Sequence, residues 1–299
     1  MTELVVGGAQ LGAIQRSESR ASVVARMIAL MDEAASKGVE MLVYPELALT
    51  TFFPRWYMED QAEVDAWFER EMPGPDTAPL FARARELGIA MTFGYAELTP
   101  EGRHFNTSIL TDRKANIVGK YRKVHLPGHD EYDESRAFQH LEKRYFEPGD
   151  IGFPVWRNEG VVTGMAICND RRWPEVYRCM GLQGVELVTI GYNTPSVNSQ
   201  MGDEGPQKRL FHSELSLTSG AYQNATFVAG IAKATLEPNP KVPWDQWVGD
   251  YGLVRQAIKK TWPATFPNFN EKLFDPGGVA AFAHLEVAGR LAARNVGIG

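Results

Sequence analysis

Cysteine is scarce in this 299-residue chain, which has only Cys168 and Cys179. Two thiols cannot build the disulfide framework of a small secreted domain, and a reducing, cytoplasmic setting is expected. Long apolar runs are missing as well. No uninterrupted stretch approaches the roughly 18 residues that cross a bilayer, so no membrane partner is expected. Met1-Thr2-Glu3 offers no basic region ahead of its short apolar run, so no secretory leader is visible. Basic residues are outnumbered, 31 against 37 acidic ones, and the net charge of −6 argues against nucleic acid as a partner. Internal repeats and low-complexity tracts are absent. What is present is 44% apolar and 23% charged residues, enough for a large globular core.

The apolar pattern alternates between strand and helix. Leu4 to Val6 reads as a short strand, Arg20 to Lys37 as an amphipathic helix ended by Gly38, and Met41 to Tyr44 as a second strand. Strand, helix, strand with short links begins a βαβ unit and predicts a layered α/β fold. Thr50 to Asp60 is irregular and aromatic, the wall of a pocket. Thr77 to Leu87 predicts a helix stopped by Gly88. Ile89 to Glu97, Phe105 to Leu110 and Ile117 to Val124 then predict consecutive strands, so part of the sheet is expected to be antiparallel. His125 to Gly149 has no regular pattern and is crowded with ionisable groups, as functional loops often are. Glu186 to Ile190, Leu210 to Asn224 and Thr226 to Ile231 read as strand, helix and strand.

Val161 to Ile167 is a further buried strand, and the polarity changes abruptly after it. Cys168-Asn169-Asp170-Arg171-Arg172-Trp173 leads to Pro174 and Glu175, which are helix-start signals. A cysteine between a strand end and a helix start, beside two arginines, is placed where a thiolate is favoured. The stretch alone leaves two readings open, a nucleophile or a small buried hydrophobe. Cys179, inside the helical pattern Trp173, Val176, Cys179, Met180, fits the second.

A thiol nucleophile needs a base, and its tetrahedral intermediate needs positive charge nearby. Glu46 follows the strand Met41–Tyr44, Lys123 ends the strand from Ile117, and Cys168 follows the strand from Val161. Side chains at adjacent strand ends can converge on one rim of a sheet. These three offer a base, a cation and a nucleophile. His125 and His129 have the i, i+4 spacing of a helical metal site, but Pro127-Gly128 between them breaks any helix. No metal or cofactor is expected.

Tyr44-Pro45-Glu46-Leu47, Tyr121 to Leu126 and Ile167 to Glu175 together resemble the Glu–Lys–Cys motifs of the carbon–nitrogen hydrolase (nitrilase) superfamily. Within it, Leu47 to Trp56, His140 to Asp150 and Gly191-Tyr192-Asn193-Thr194 resemble the N-carbamoyl-D-amino-acid amidohydrolases. The resemblance implies a four-layer α-β-β-α sandwich, metal-free hydrolysis of an N-carbamoyl amino acid, and subunits paired helix-to-helix into homodimers or homotetramers. It implies Glu46 as general base, Cys168 as nucleophile and Lys123 as oxyanion partner, helped by the backbone N–H of Asn169. Glu142 resembles the second glutamate that holds the lysine. Arg171 and Arg172 resemble a grip on the substrate carboxylate, although one of them could instead pair internally with Asp170 or Glu175. Asn193 and Thr194 match strand-end residues facing the pocket, while His125 and His140 would order the loop or line the substrate entrance.

The resemblance runs to about Ala234, and Pro238, Pro240 and Pro243 mark a composition shift beyond it. The expected organisation is a hydrolase domain over 1–235 and an atypical segment over 236–299 that replaces the family's last strands. In that segment Tyr251 to Lys260 and Val279 to Ala293 read as helical. Val248 to Arg255 and Pro276-Gly277-Gly278 faintly resemble molybdopterin-dependent oxidoreductases, over too short a span to supply a cofactor site. Other readings are an amidase or β-ureidopropionase-like enzyme, a scaffold left inactive by the altered tail, and a metal-dependent hydrolase, which sensitivity to chelators would reveal.

Overall fold

Two β-sheets lie face to face between two pairs of helices in the computed structural model, which describes residues 3–136, 138–193, 206–233 and 284–292. The first half of the chain runs β1 (Glu3–Gln10), α1 (Arg20–Ser36), β2 (Met41–Val43), α2 (Gln61–Asp65), α3 (Ala78–Leu87), β3 (Ala90–Leu98), β4 (His104–Thr111) and β5 (Ile117–Arg122). The second half runs α4 (Glu142–Tyr145), β6 (Val155–Asn158), β7 (Val161–Ile167), α5 (Pro174–Gly181), β8 (Leu187–Tyr192), α6 (Pro206–Asn224), β9 (Phe227–Ala232) and β10 (His284–Ala292). One sheet has the order β10-β1-β2-β3-β4-β5 and the other β6-β7-β8-β9.

The β1–β2–β3 and β7–β8–β9 pairings are parallel, as their helical crossovers require. The β3–β4 and β4–β5 pairings are antiparallel, as their short connections allow. Period-two alternation explains the near-continuous apolar runs. Val6, Met41 and Val43 face the second sheet, where they meet Val161, Met165, Ile167 and Leu187. Leu42, Tyr44, Met91 and Phe93 point the other way, onto α1 and α3. Strands covered on both faces read as unbroken hydrophobic stretches.

α1 begins at Ser19, whose hydroxyl accepts the Ser22 N–H. It buries Val23, Val24, Met27, Leu30, Met31 and Ala34 in its layer. Each large apolar side chain buried in this way contributes roughly 1.5–3 kcal/mol. On the opposite side Val176, Tyr177 and Met180 of α5 pack on Ala166, Val188 and Ile190, with Leu217 of α6 against them. The result is the α-β-β-α sandwich that the family resemblance implies.

Three expectations change. Val279 to Ala293 reads as helical, yet His284–Ala292 is a strand paired antiparallel with β1, from Glu3↔Ala292 to Gln10↔His284. Leu285, Val287 and Leu291 carry a period-two signal that the helix-forming Ala, Leu and Glu residues mask, and the free edge of β1 decides the outcome. β6 has no counterpart in the sequence reading. Phe52 and Phe53 of the aromatic loop are buried with Phe68, Leu141, Tyr145 and Phe146, while Met58 and Glu59 of the same stretch line a cavity with His104 and Tyr145. The boundary near Leu236 and the helix expected over Tyr251–Lys260 lie outside the described residues. Among the described residues no helix is long and apolar enough to cross a membrane.

Candidate active site

Glu46 stands just beyond the end of β2, where the main chain passes between the sheets. Its side chain is fully buried. Oε1 accepts hydrogen bonds from Asn106 Nδ2 at 2.8 Å and Lys123 Nζ at 2.7 Å. Oε2 is equally buried and has no partner among the described residues. A buried carboxylate oxygen left without a donor is costly, so its position calls for an explanation.

Lys123 follows β5 directly, and its N–H bonds the Asn106 carbonyl of β4 at 2.8 Å. Its ammonium is fully buried and also reaches Glu142 Oε2 at 2.5 Å. Glu142 opens the short helix α4, which rests on the aromatic cluster of Phe53, Phe68, Tyr145 and Phe146. The aromatic loop is therefore the foundation under Glu142. The other Glu142 oxygen meets His140 Nε2 at 3.0 Å.

Cys168 follows β7 and opens a 3-10 turn, Cys168–Arg172, with φ of +47°. Left-handed backbone at a residue with a side chain stores strain and persists only where neighbours hold it. Asp170, fully buried, does much of that holding. Its Oδ2 accepts the Ile167 N–H at 3.1 Å and the Tyr121 hydroxyl at 2.8 Å, while Oδ1 accepts His125 N at 2.9 Å. His125 Nδ1 lies 2.8 Å from the same Oδ1. Arg171 supplies the rest, since its Nη1 donates to the Cys168 carbonyl at 2.6 Å and Nη2 to Ser213 Oγ at 3.1 Å.

The electrostatics are those of two carboxyl groups, one ammonium and one thiol, all buried from solvent. Burial raises the proton affinity of Glu46, which Lys123 opposes and Glu142 reinforces. Burial acts on Glu142 in the same sense, but Lys123 and the His140 hydrogen bond outweigh it and hold that carboxyl below its ordinary range. Burial would lower Lys123, yet the acidic groups beside it, Cys168, Glu142 and Glu46, hold it well above its usual value. The Cys168 thiol is pushed up by burial and then by Glu46, against the pull of Lys123 and Arg171. This corrects the expectation of a favoured thiolate. Desolvation disfavours the charged form, and here it exceeds what the arginine and the turn supply. The resting group is a thiol in need of a base.

Other expected residues fall as follows. Arg171 is buried, lies against the Tyr192 ring, and carries Nη1 at 3.9 Å from Cys168 Sγ. Its hydrogen bonds to described residues include the Cys168 carbonyl and the Ser213 hydroxyl. Arg172 is exposed. The Asn169 side chain donates to the His125 carbonyl at 3.1 Å. Asn193 is buried and gives its amide to the Glu46 carbonyl at 2.8 Å. Thr194 lies outside the described residues. His125 is stacked between Phe153 and Trp173, while His129 turns to Gln139. The His125–His129 spacing therefore puts the two rings on different partners, and among the described residues no three His, Cys, Asp or Glu side chains converge as metal ligands. Cys179 is exposed rather than buried, contrary to its place in the helical pattern. Sequence reasoning missed Asn106, Tyr121 and Ser213. Asn106 left the one usable signal, an amide inside the apolar run of β4.

A buried Glu–Lys–Glu cluster with a thiol on a strained turn, set between the sheets of an α-β-β-α sandwich, defines a class of hydrolase. Residues 5–246 match the carbon-nitrogen hydrolase family, and the chain belongs to it. The match extends past the boundary expected near Leu236. The N-carbamoylputrescine amidase of Arabidopsis thaliana is 31% identical over 210 residues, 69% of this chain and 63% of that enzyme. The citrullinase of Francisella tularensis is 27% identical over 173 residues, 58% of this chain and 56% of that one. The aligned stretch thus spans less than two thirds of either relative's length. Among solved structures, a carbon-nitrogen hydrolase from Helicobacter pylori G27 superposes with a TM-score of 0.68 at 21% identity, covering 80% of this chain and 76% of that one.

Proposed function

We propose that the protein hydrolyses the ureido C–N bond of N-carbamoyl compounds, and that its substrate is an N-carbamoyl-D-amino acid. The observation that carries the reading is Glu46 Oε2, a buried oxygen without a donor among the described residues, on a carboxylate whose other oxygen is fixed by Asn106 and Lys123. It is the acceptor for the Cys168 proton. As that proton moves to Glu46, Sγ bonds to the ureido carbon and the carbonyl oxygen becomes an oxyanion. Lys123, kept protonated by Glu142, stabilises this charge together with the Asn169 N–H. Glu46 returns the proton to the departing nitrogen, breaking the C–N bond and leaving an acyl group on sulfur. It then takes a proton from water attacking that group and passes it to Sγ as the C–S bond breaks, which frees the thiol and a carbamic acid. The carbamic acid loses its remaining nitrogen spontaneously, so the products are the amino acid, ammonia and carbon dioxide.

The ureido class is supported by the two relatives, named for N-carbamoylputrescine and citrulline, compounds that both end in a ureido group. A carboxylate beside that group is supported by Arg171, whose guanidinium lies 3.9 Å from the sulfur. That separation is within the reach of an α-substituted N-carbamoyl amino acid, and guanidinium forks suit carboxylates. The D configuration rests on the sequence resemblance alone. A second reading, an N-carbamoyl amine, follows from the plant relative. Ammonia release from N-carbamoyl-D- and L-amino acids, an N-carbamoyl diamine and a simple amide separates these cases. The proposal expects turnover of the D-amino-acid derivative, lost in Cys168→Ala and kept in Cys179→Ala. Turnover of the diamine derivative alone would favour the second reading. Equal loss in both cysteine variants would overturn the nucleophile.

The assembly proposed is a homodimer or homotetramer paired through α5 and α6. Phe211, Leu215 and Tyr222 of α6 and Leu182 just after α5 are all more than half exposed. An apolar surface of this kind on a helix pair suits association with a second copy.

A further inference from the structure

The base and the nucleophile come from different sheets, so something must fix the distance between them. β8 touches both. Gly191 pairs in register with Ile167, the residue before Cys168. A Cβ placed on Gly191 would stand 2.5 Å from Glu46 N, 2.7 Å from Pro45 C and 3.0 Å from Tyr44 O. Two residues on, Asn193 Nδ2 holds the Glu46 carbonyl at 2.8 Å. On the other side a Cβ on Gly94 of β3 would stand 2.9 Å from Glu46 Cα and from Leu47 N. The Gly94 N–H bonds the Pro45 carbonyl, and the Gly94 carbonyl accepts the Ala48 N–H. The main chain of Glu46 thus lies between two bare strands, in contact with backbone on each side. Leu47, with φ of +46°, turns the chain out of this slot.

We infer that Gly191 and Asn193 are positioning residues that set the separation between Glu46 and Cys168, through direct backbone contact between β8 and the base. Only glycine allows this approach, because any side chain meets main-chain atoms that cannot rotate away. Gly191→Ala would need β8 and Glu46 to part by about 1 Å, a misplacement that can cost about 10²-fold in rate. The inference rests on the reading of Glu46 and Cys168 as a working pair, so its test must not depend on the substrate.

Alkylation of Cys168 by iodoacetamide as a function of pH, in a Cys179→Ala background, meets that need. Glu46→Gln should lower the midpoint of the profile by removing a negative charge beside the thiol. Gly191→Ala and Asn193→Ala should each move the midpoint part of the way toward the Glu46→Gln value. With an active substrate, Gly191→Ala should lower kcat about 10²-fold with KM little changed. Gly119→Ala is the control, since the atoms nearest its Cβ, from 2.6 Å, belong to the Trp156 ring and not to Glu46. It should reduce thermal stability while keeping the parental midpoint. If Glu46→Gln shifts the profile and the two β8 variants do not, the positioning role is wrong. If Glu46→Gln itself leaves the profile unmoved, the pair reading fails first. Should Gly191→Ala not fold, Asn193→Ala decides alone, because it removes a hydrogen bond and adds no atom.

Discussion

Replacing Lys123 by methionine keeps much of the side chain's length and removes the ammonium held between two fully buried carboxylates, 2.7 Å from Glu46 Oε1 and 2.5 Å from Glu142 Oε2. Removing one partner of a buried ion pair typically costs about 3–5 kcal/mol, because the charge left behind is uncompensated. Here two are left behind, and each can escape by binding a proton. The penalty per carboxyl group is then limited to about 1.4 kcal/mol for every pH unit above its ordinary value near 4.3. At pH 7.3 that limit is about 4 kcal/mol per group. The sign follows from proton counting. In the variant the folded state retains protons that the unfolded state has released, so its stability falls as pH rises above about 4.3. Urea unfolding of both proteins between about pH 5 and pH 8 should show a deficit that widens steadily with pH. Adding Glu142→Gln to the variant should recover part of the loss at the alkaline end. A deficit independent of pH, or one below about 1 kcal/mol throughout, would refute the picture of a buried, charge-compensated cluster.

Further predictions concern the charges around this cluster and the outer helices. Glu97 is held at a pKa of about 2, where burial would raise it but Arg122, Lys120 and Thr107 outweigh burial. Its contribution to stability should be complete above about pH 4.5 and disappear as pH falls toward 2; Glu97→Gln should flatten that part of the acid unfolding curve. Arg171→Lys keeps the charge but loses the fork that also holds the Cys168 carbonyl, so kcat should fall on every substrate, while KM should rise roughly 10- to 100-fold, the worth of one charge-assisted bond, only for a carboxylate-bearing one. Arg172→Ala, at an exposed position, should do less, and the reverse order would move the carboxylate grip to Arg172. Phe211→Glu with Leu215→Glu should shift sedimentation velocity toward the monomer, whereas an unchanged profile would place any interface elsewhere.

The legible part of the site is the part encoded locally. Glu46, Lys123 and Cys168 each stand where an apolar strand pattern breaks off into a polar residue, so the sequence marks three strand ends. Their meeting takes more than strand ends gathered on one rim, because Glu46 and Lys123 follow β2 and β5 of one sheet and Cys168 follows β7 of the other. What supports them is not local. Tyr121 meets Asp170 across 49 residues, and Asn106 meets Glu46 across 60. Nothing in the composition of either segment announces those bonds. The charge state of Cys168 was misjudged for a related reason: arginines and a turn are visible in sequence, whereas desolvation between two sheets exists only after they pack. Asn193 could be placed near the pocket but not aimed, and its amide goes to the Glu46 carbonyl. The strand His284–Ala292 was hidden because good helix formers occupy its positions and the edge of β1 outweighs their propensity. β6, four residues long and paired on one side with β7, carries too little alternation to be recognised from its own residues.

Under the proposed mechanism Cys168 carries the substrate's acyl group during turnover. Rapid acid quenching of the protein mixed with an N-carbamoyl-D-amino acid, followed by intact-mass and peptide analysis, tests it directly. One substrate-derived acyl group should appear on the peptide containing Cys168, absent in Cys168→Ala and absent from Cys179. Ammonia release at full rate in Cys168→Ala, or an acyl group found on Cys179 instead, would contradict the account.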